Sequence, residues 1–392
     1  MALTRGARRL EPRPILPFQR PPDPMILDPT SERGPSGEGE GSAAPTEGGF
    51  LSLDLVRGGP DTRVPESTHG VHVAVVRPDG DVVLACGDPG RMTLIRSAAK
   101  PFQALPLVEA GLFPRDGAGP EALALCTGSH SGEPRHVEGV RALLGATGGR
   151  EEELACGPHP PMGEEAAAEL ARGGGRPLAI HNNCSGKHAG MMMLARQMGA
   201  SVDGYHRAGH PVQEEMARAV ARWTGVGRDR LVEAVDGCGV VCFGVPLQSL
   251  AGAYARLLEA SGAGPGAPAE VVSAMTAHPW AVAGTGRLCT DLMEAGDGRL
   301  LAKVGAQGVY GAALTGPEGT LGIALKVEDG HLRAAEMALL HVLEELDVDR
   351  RVGSSGLLGR VRQGHPREEK NTRGDPVARW VAHTDARREE AW

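Results

Sequence analysis

The sequence predicts an α/β (α+β) chain in which one antiparallel sheet, built from strands far apart in sequence, is covered by helices. Three observations lead there. Strand-like pairs stand near both ends of the patterned region, a long helix-patterned middle separates them, and no parallel βαβ alternation or glycine-rich phosphate loop appears. No fixed-period repeat points to a solenoid.

The elements follow in order. Residues 1–49 are rich in Pro, Gly, Ser and Glu with little hydrophobic periodicity, and are expected to be a disordered extension, with Met25 an alternative start. From about Phe50, residues 71–76 and 82–86 flank the turn Pro78-Asp79-Gly80-Asp81 and read as an antiparallel hairpin. Residues 92–95 look like a strand, and Phe102, Leu105, Leu107 and Val108 continue with helical spacing. Helices are expected over 121–127 and 135–144, with a polar Gly/Ser break between them. The Ala/Glu-rich segment 163–172 is helical, and Gly173-Gly174-Gly175 ends it. Further helices are read at 191–198, 211–223, 247–260 and 269–277, with a short strand at 240–243. Residues 300–305 and 321–327 read as paired strands, and 333–346 as a closing helix. This gives a catalytic domain over 50–350 and a polar, weakly patterned tail over 351–392.

Composition narrows the function classes. A chain of 392 residues can bury a sizeable core. Its formal charge of −8 gives no electrostatic case for nucleic acid or an anionic membrane. Seven scattered cysteines, an odd number, do not form a disulfide framework. No apolar run approaches the ~20 residues of a membrane span, and the N-terminal arginines lack the apolar stretch of a secretory signal. A reducing cytoplasm is the expectation.

The chemistry is best placed at Ser97-Ala98-Ala99-Lys100. Three residues apart on a helix, a serine and a lysine share one face. A neutral lysine can take the serine's proton, and neutrality requires burial or a second cation nearby. Ser129 follows in the polar break, and Lys303-Val304-Gly305 on a strand comes last. Serine β-lactamases and penicillin-binding proteins use hydroxyls and amines in that order, with the last lysine on an edge strand. Gly305 would let that strand approach a substrate and supply a second oxyanion donor. Cys184 and Cys238, with His188 between them, could hold zinc. The spacing is not a zinc-finger pattern, and buried, inert cysteines are its plainer explanation.

Taken together, Arg96-Ser97-Ala98-Ala99-Lys100-Pro101-Phe102-Gln103, Ser129-His130-Ser131-Gly132-Glu133, His181-Asn182-Asn183-Cys184-Ser185-Gly186-Lys187-His188 and Lys303-Val304-Gly305-Ala306 resemble the Rhizobium etli-type L-asparaginases, the asparaginase II family. Asp236-Gly237-Cys238-Gly239, His278-Pro279 and Arg287-Leu288-Cys289-Thr290 carry the likeness further, from about Phe50 to Asn371-Thr372-Arg373-Gly374. The resemblance implies a serine β-lactamase/glutaminase-like fold, a homodimer, and hydrolysis of L-asparagine to L-aspartate and ammonia. It puts the nucleophile on Ser97 with Lys100, and the second serine and lysine on Ser129 and Lys303. It makes Cys184, Lys187 and Cys238 ligands of a modulatory Zn2+, with His188 beside metal and substrate and Cys289 a further active-site cysteine. Two departures stand out: Gln307 replaces an expected glutamate near Lys303, and the front extension lies outside the family pattern.

The expected route has Lys100, kept neutral with help from Lys303, deprotonating Ser97. Backbone N–H groups of Ser97 and of the strand beside Gly305 would hold the oxyanion, and Ser129 would pass a proton to ammonia. Arg96 is the candidate for the substrate's α-carboxylate and Asp236 for its α-ammonium. The alternatives are another serine amidohydrolase (acting on glutamine, a β-lactam or a peptide), a zinc-dependent hydrolase, and a non-catalytic zinc-binding module.

Overall fold

The computed structural model describes residues 49–58, 63–113 and 119–384. Gly49 apart, the expected extension and Met25 lie outside them. The strands are β1 (Leu51–Arg57), β2 (Val64–Val76), β3 (Val82–Cys86), β4 (Met92–Leu94), β5 (Val232–Val235), β6 (Val241–Pro246), β7 (Leu300–Val304), β8 (Val309–Gly316), β9 (Gly319–Val327), β10 (Glu368–Lys370) and β11 (Pro376–Thr384). The helices are α1 (Lys100–Glu109), α2 (Pro120–Thr127), α3 (Pro134–Ala146), α4 (Glu164–Arg172), α5 (Ser185–Gln197), α6 (Pro211–Thr224), α7 (Leu247–Gly262), α8 (Ala267–Ala277), α9 (Pro279–Val282), α10 (Leu288–Gly296), α11 (Leu332–Glu345), α12 (Val348–Val352) and α13 (Leu357–Gly364).

The main sheet runs β10-β11-β1-β2-β9-β8-β7, with β3 also paired to β2, and every pairing is antiparallel. Strands from both ends of the chain meet at its centre, where β2 pairs with β9, as the sequence predicts. A second, small sheet orders β4-β6-β5. β8 is buried at six successive positions, Val309 to Leu314, which requires cover on both faces of the sheet. Helices α7 and α11 both pack on β8 and β9. The α7 approach is unusually close. A Cβ on Gly322 would stand 1.9 Å from the Ala251 carbonyl oxygen, and one on Gly311 would meet the Tyr254 ring. Only glycine fits at these two sheet positions. Tyr254 also meets Phe102 of α1 edge-on, with ring centroids 5.2 Å apart, joining the sheet layer to the helical middle.

The structure adds β1 and β5, which the sequence reading lacks, and departs from it elsewhere. The strands read as a pair, 300–305 and 321–327, are separated by β8. The β8 sequence Val-Tyr-Gly-Ala-Ala-Leu-Thr-Gly has no alternation because both of its faces are buried. The tail beyond Arg350 is structured through Thr384, and β11 pairs with β1 along seven residues, Leu51↔Thr384 to Arg57↔Ala378. Finally, Ser97 lies in a 3₁₀ turn, Arg96–Ala99, that precedes α1.

Candidate active site

The turn that carries Ser97 is clamped from three sides. Its entry is held by β4, whose Thr93 faces Val245 of β6, and by the Ile95 N–H donating to the Phe243 carbonyl at 2.9 Å. Arg96 then adopts φ 48°, a left-handed conformation that costs a non-glycine residue about 1–2 kcal/mol. Two interactions offset this. Arg96 Nε and Nη2 reach Asp236 Oδ1 at 2.8 and 2.6 Å, and Tyr254 Oη donates to the Ala98 carbonyl at 2.8 Å. Ser97 itself is half-buried, and its Oγ makes no hydrogen bond among the described residues.

Lys100, the first residue of α1, is fully buried. Its Nζ donates to Ser129 Oγ at 2.9 Å, to the Gly128 carbonyl, and to Cys184 Sγ at 3.3 Å. From β7, the edge strand of the main sheet, Lys303 Nζ reaches the same Ser129 Oγ at 2.9 Å and the Val304 carbonyl at 2.9 Å. Burial lowers the pKa of Lys303 to about 7, and the nearby Lys100 charge adds to the effect. Burial also lowers Lys100, partly against the pull of Cys184. Two amines sharing one hydroxyl in a dry site cannot both stay protonated without cost, so the cluster favours one neutral amine ready to accept a proton. Gln307, at the β7–β8 turn, is exposed and gives its carbonyl to Lys326 Nζ at 2.8 Å. It is not among the groups that shift Lys303.

Gly305 serves packing. Its N–H is used by the Val309 carbonyl at 2.7 Å, and a Cβ there would come within 3.1 Å of the Ile95 oxygen. The bare backbone therefore lets β7 lie against the segment leading to Ser97. The oxyanion donor expected there is not Gly305's own N–H. Cys289 is fully buried behind β7, with Sγ 2.9 Å from Tyr310 Oη and accepting from the Val304 N–H at 3.2 Å.

Beside this cluster, Cys184, Lys187 and Cys238 converge. The two thiols hydrogen-bond each other, which with burial raises Cys184 to about 12 and helps lower Cys238 to about 5. Lys187 Nζ lies 3.2 Å from Cys238 Sγ. Burial pulls the Lys187 pKa down, but the charges of Cys238, Cys184 and Asp236 raise it above its ordinary value. His188 gives Nδ1 to Tyr205 Oη at 2.6 Å, while its Nε2 is buried without a partner. Burial and the Lys187 charge keep that imidazole neutral. The two sulfurs suit a zinc ion, and Lys187 could join them as a ligand only after giving up its proton. Among the described residues no three His, Cys, Asp or Glu side chains form a group that could hold a metal ion, so His188 does not complete one with Cys184 and Cys238.

Arg96 and Asp236, expected to hold opposite ends of the substrate, instead bind each other. The sequence reading also missed residues that position the site. All three tyrosines of the chain serve it: Tyr205 on His188, Tyr254 on the Ser97 turn and Tyr310 on Cys289. Their scarcity in a chain with 3% aromatics was the available signal. His130 donates from Nε2 to Ser185 Oγ at 2.9 Å, accepts the Gly132 N–H at Nδ1 and stacks on His136, whose ring stacks on Trp280. Glu133 accepts from Thr285 N–H and Oγ1 and from Trp280 Nε1, pinning residues 283–287 to the Ser129 segment.

Comparison with known proteins adds a family. The L-asparaginase II family model matches residues 54–381. No curated protein matches the chain. Among solved structures, Mglu in its native form is similar at 16% identity over 71% of this chain and 64% of that one, with a TM-score of 0.37. A Bacillus glutaminase is similar at 13% identity over 71% and 91%, with a TM-score of 0.33. The chain thus spans less than two thirds of that Mglu structure. No helix among the described residues is long and apolar enough to cross a membrane. With the family match running through nearly every strand and helix described above, the chain belongs to the asparaginase II family.

Proposed function

We propose that the protein hydrolyses L-asparagine to L-aspartate and ammonia through a covalent ester on Ser97. The observation that carries this reading is the Lys100–Ser129–Lys303 bridge, two buried amines on one hydroxyl beside the Ser97 turn. In this reading Ser97 Oγ attacks the side-chain amide carbon, and its proton passes to Lys100. The Ser97 N–H, which has no partner among the described residues, faces the developing oxyanion. Ser129, held by both lysines, returns a proton to the departing nitrogen, so the amide C–N bond breaks as ammonia leaves. Water, deprotonated by the same relay, then cleaves the β-aspartyl ester and restores Ser97. Cys184, Lys187 and Cys238 would hold zinc, which when bound supplies a fixed positive charge that tunes substrate affinity. The homodimer belongs to the same proposal, and light scattering tests it.

One observation favours a second reading. Both amines touch Ser129 and neither touches Ser97, which suits Ser129 as the attacking hydroxyl. Ammonia release from L-asparagine and L-glutamine, measured for the wild type, Ser97→Ala and Ser129→Ala, tests both readings. Preference for asparagine and loss of turnover in Ser97→Ala are expected. Equal use of glutamine removes the substrate assignment, and full activity in Ser97→Ala removes the nucleophile.

A further inference from the structure

Asparagine enters as a zwitterion, so an α-carboxylate must be matched by a cation once water is excluded. Among the described residues, the cations named above are engaged, and Arg287 is not. Lys100 and Lys303 hold Ser129, Lys187 sits on Cys238, and Arg96 is spent on Asp236. Arg287 remains. It is half-buried, its charge is felt by Lys303 and by Tyr310, and its guanidinium has no hydrogen bond or ion pair among the described residues.

Its mounting is rigid. Arg287 is the residue before α10, whose Cys289 binds the Val304 N–H next to Lys303. The preceding loop is tied down by Thr285 on Glu133, by Thr290 Oγ1 on the Gly284 carbonyl at 2.7 Å, and by Ser131 Oγ on the Ala283 carbonyl at 2.9 Å. A cation carried on a loop tied down at three points, and left unpaired among the described residues, is arranged for an incoming anion. A guanidinium also matches a carboxylate with two parallel N–H donors, which an ammonium cannot do.

We infer that Arg287 binds the α-carboxylate of the substrate and so selects amino-acid amides over simple amides. Arg96, in this assignment, is a positioning residue that holds the Ser97 turn through Asp236. The inference rests on the amidohydrolase reading above, and its test separates the two.

Ammonia release is measured from L-asparagine and from β-alaninamide, which keeps the amine and the amide but lacks the α-carboxylate. Arg287→Gln should raise KM for asparagine by about 10- to 100-fold with little change in kcat, and leave β-alaninamide unaffected. Arg287→Lys should recover part of the loss. Equal losses on both substrates, or an unchanged KM for asparagine, overturn the inference. If the wild type releases ammonia from neither, the amidohydrolase reading fails, and titration calorimetry decides on Arg287. A wild type that binds L-aspartate more tightly than β-alanine, with the preference erased in Arg287→Gln, supports the clamp. No preference in the wild type, or the same preference in the variant, refutes it.

Discussion

Lys100 and Lys303 come from opposite parts of the chain and place their amines on one oxygen, Ser129 Oγ, each at 2.9 Å. Such a bridge makes the protonation of either amine depend on the other. With Lys303 lowered to about 7, the pair can hold a single shared proton near neutral pH. In the proposed mechanism that proton moves through the hydroxyl between them.

Activity should therefore follow the neutral form of the pair. We expect kcat/KM to rise about tenfold per pH unit below roughly pH 7 and to level off above it. A rate profile flat from pH 5 to pH 8 contradicts this assignment.

Stability should show the same group with the opposite benefit. Unfolded, Lys303 titrates near 10.5; folded, near 7. Between those values the unfolded chain binds more protons, so stability rises with pH across that window, and below it the buried charge carries its full penalty. Lys303→Met should thus raise Tm at pH 6, with the gain shrinking toward pH 10, while cutting kcat by about 10²-fold or more. Thermal melts across that pH range check the sign.

Asp236→Asn tests what holds the Ser97 turn. The Asp236 side chain is only 10% exposed, and Arg96 is 22% exposed, so the loss falls between that of a surface and a buried pair, at about 2–3 kcal/mol. Denaturant melts give the stability loss. A lowered kcat should accompany it, because the left-handed Arg96 loses its anchor.

Tyr254→Phe removes a single hydroxyl from the same turn. Leaving the Ala98 carbonyl unpaired should cost about 1–2 kcal/mol and reduce kcat several-fold without changing KM. An unchanged kcat would show that the turn keeps its position without that bond.

Helices such as 211–223 were legible because they carry a period that water enforces, and 71–76, though buried at every position, because its β-branched run ends at the turn Pro78-Asp79-Gly80-Asp81. β8 was not, since a strand covered on both faces and built from Gly and Ala has no polar phase to read. The hydroxyls and amines of the site were recognisable by type and order. Which of them touch was not: no local pattern says that Arg96 will bind Asp236, or that Ser129 will take both lysines, because those distances are set by packing between remote segments. Arg287 was visible only as part of a motif. Its unpaired guanidinium emerged once every neighbouring charge had been matched with a partner.

The most direct test is to trap the ester. Wild-type protein is mixed with L-asparagine, quenched in acid within milliseconds, digested and mapped by mass spectrometry. The account predicts a β-aspartyl adduct on the peptide containing Ser97, absent in Ser97→Ala. An adduct on Ser129, or turnover without any protein-bound intermediate, would contradict it.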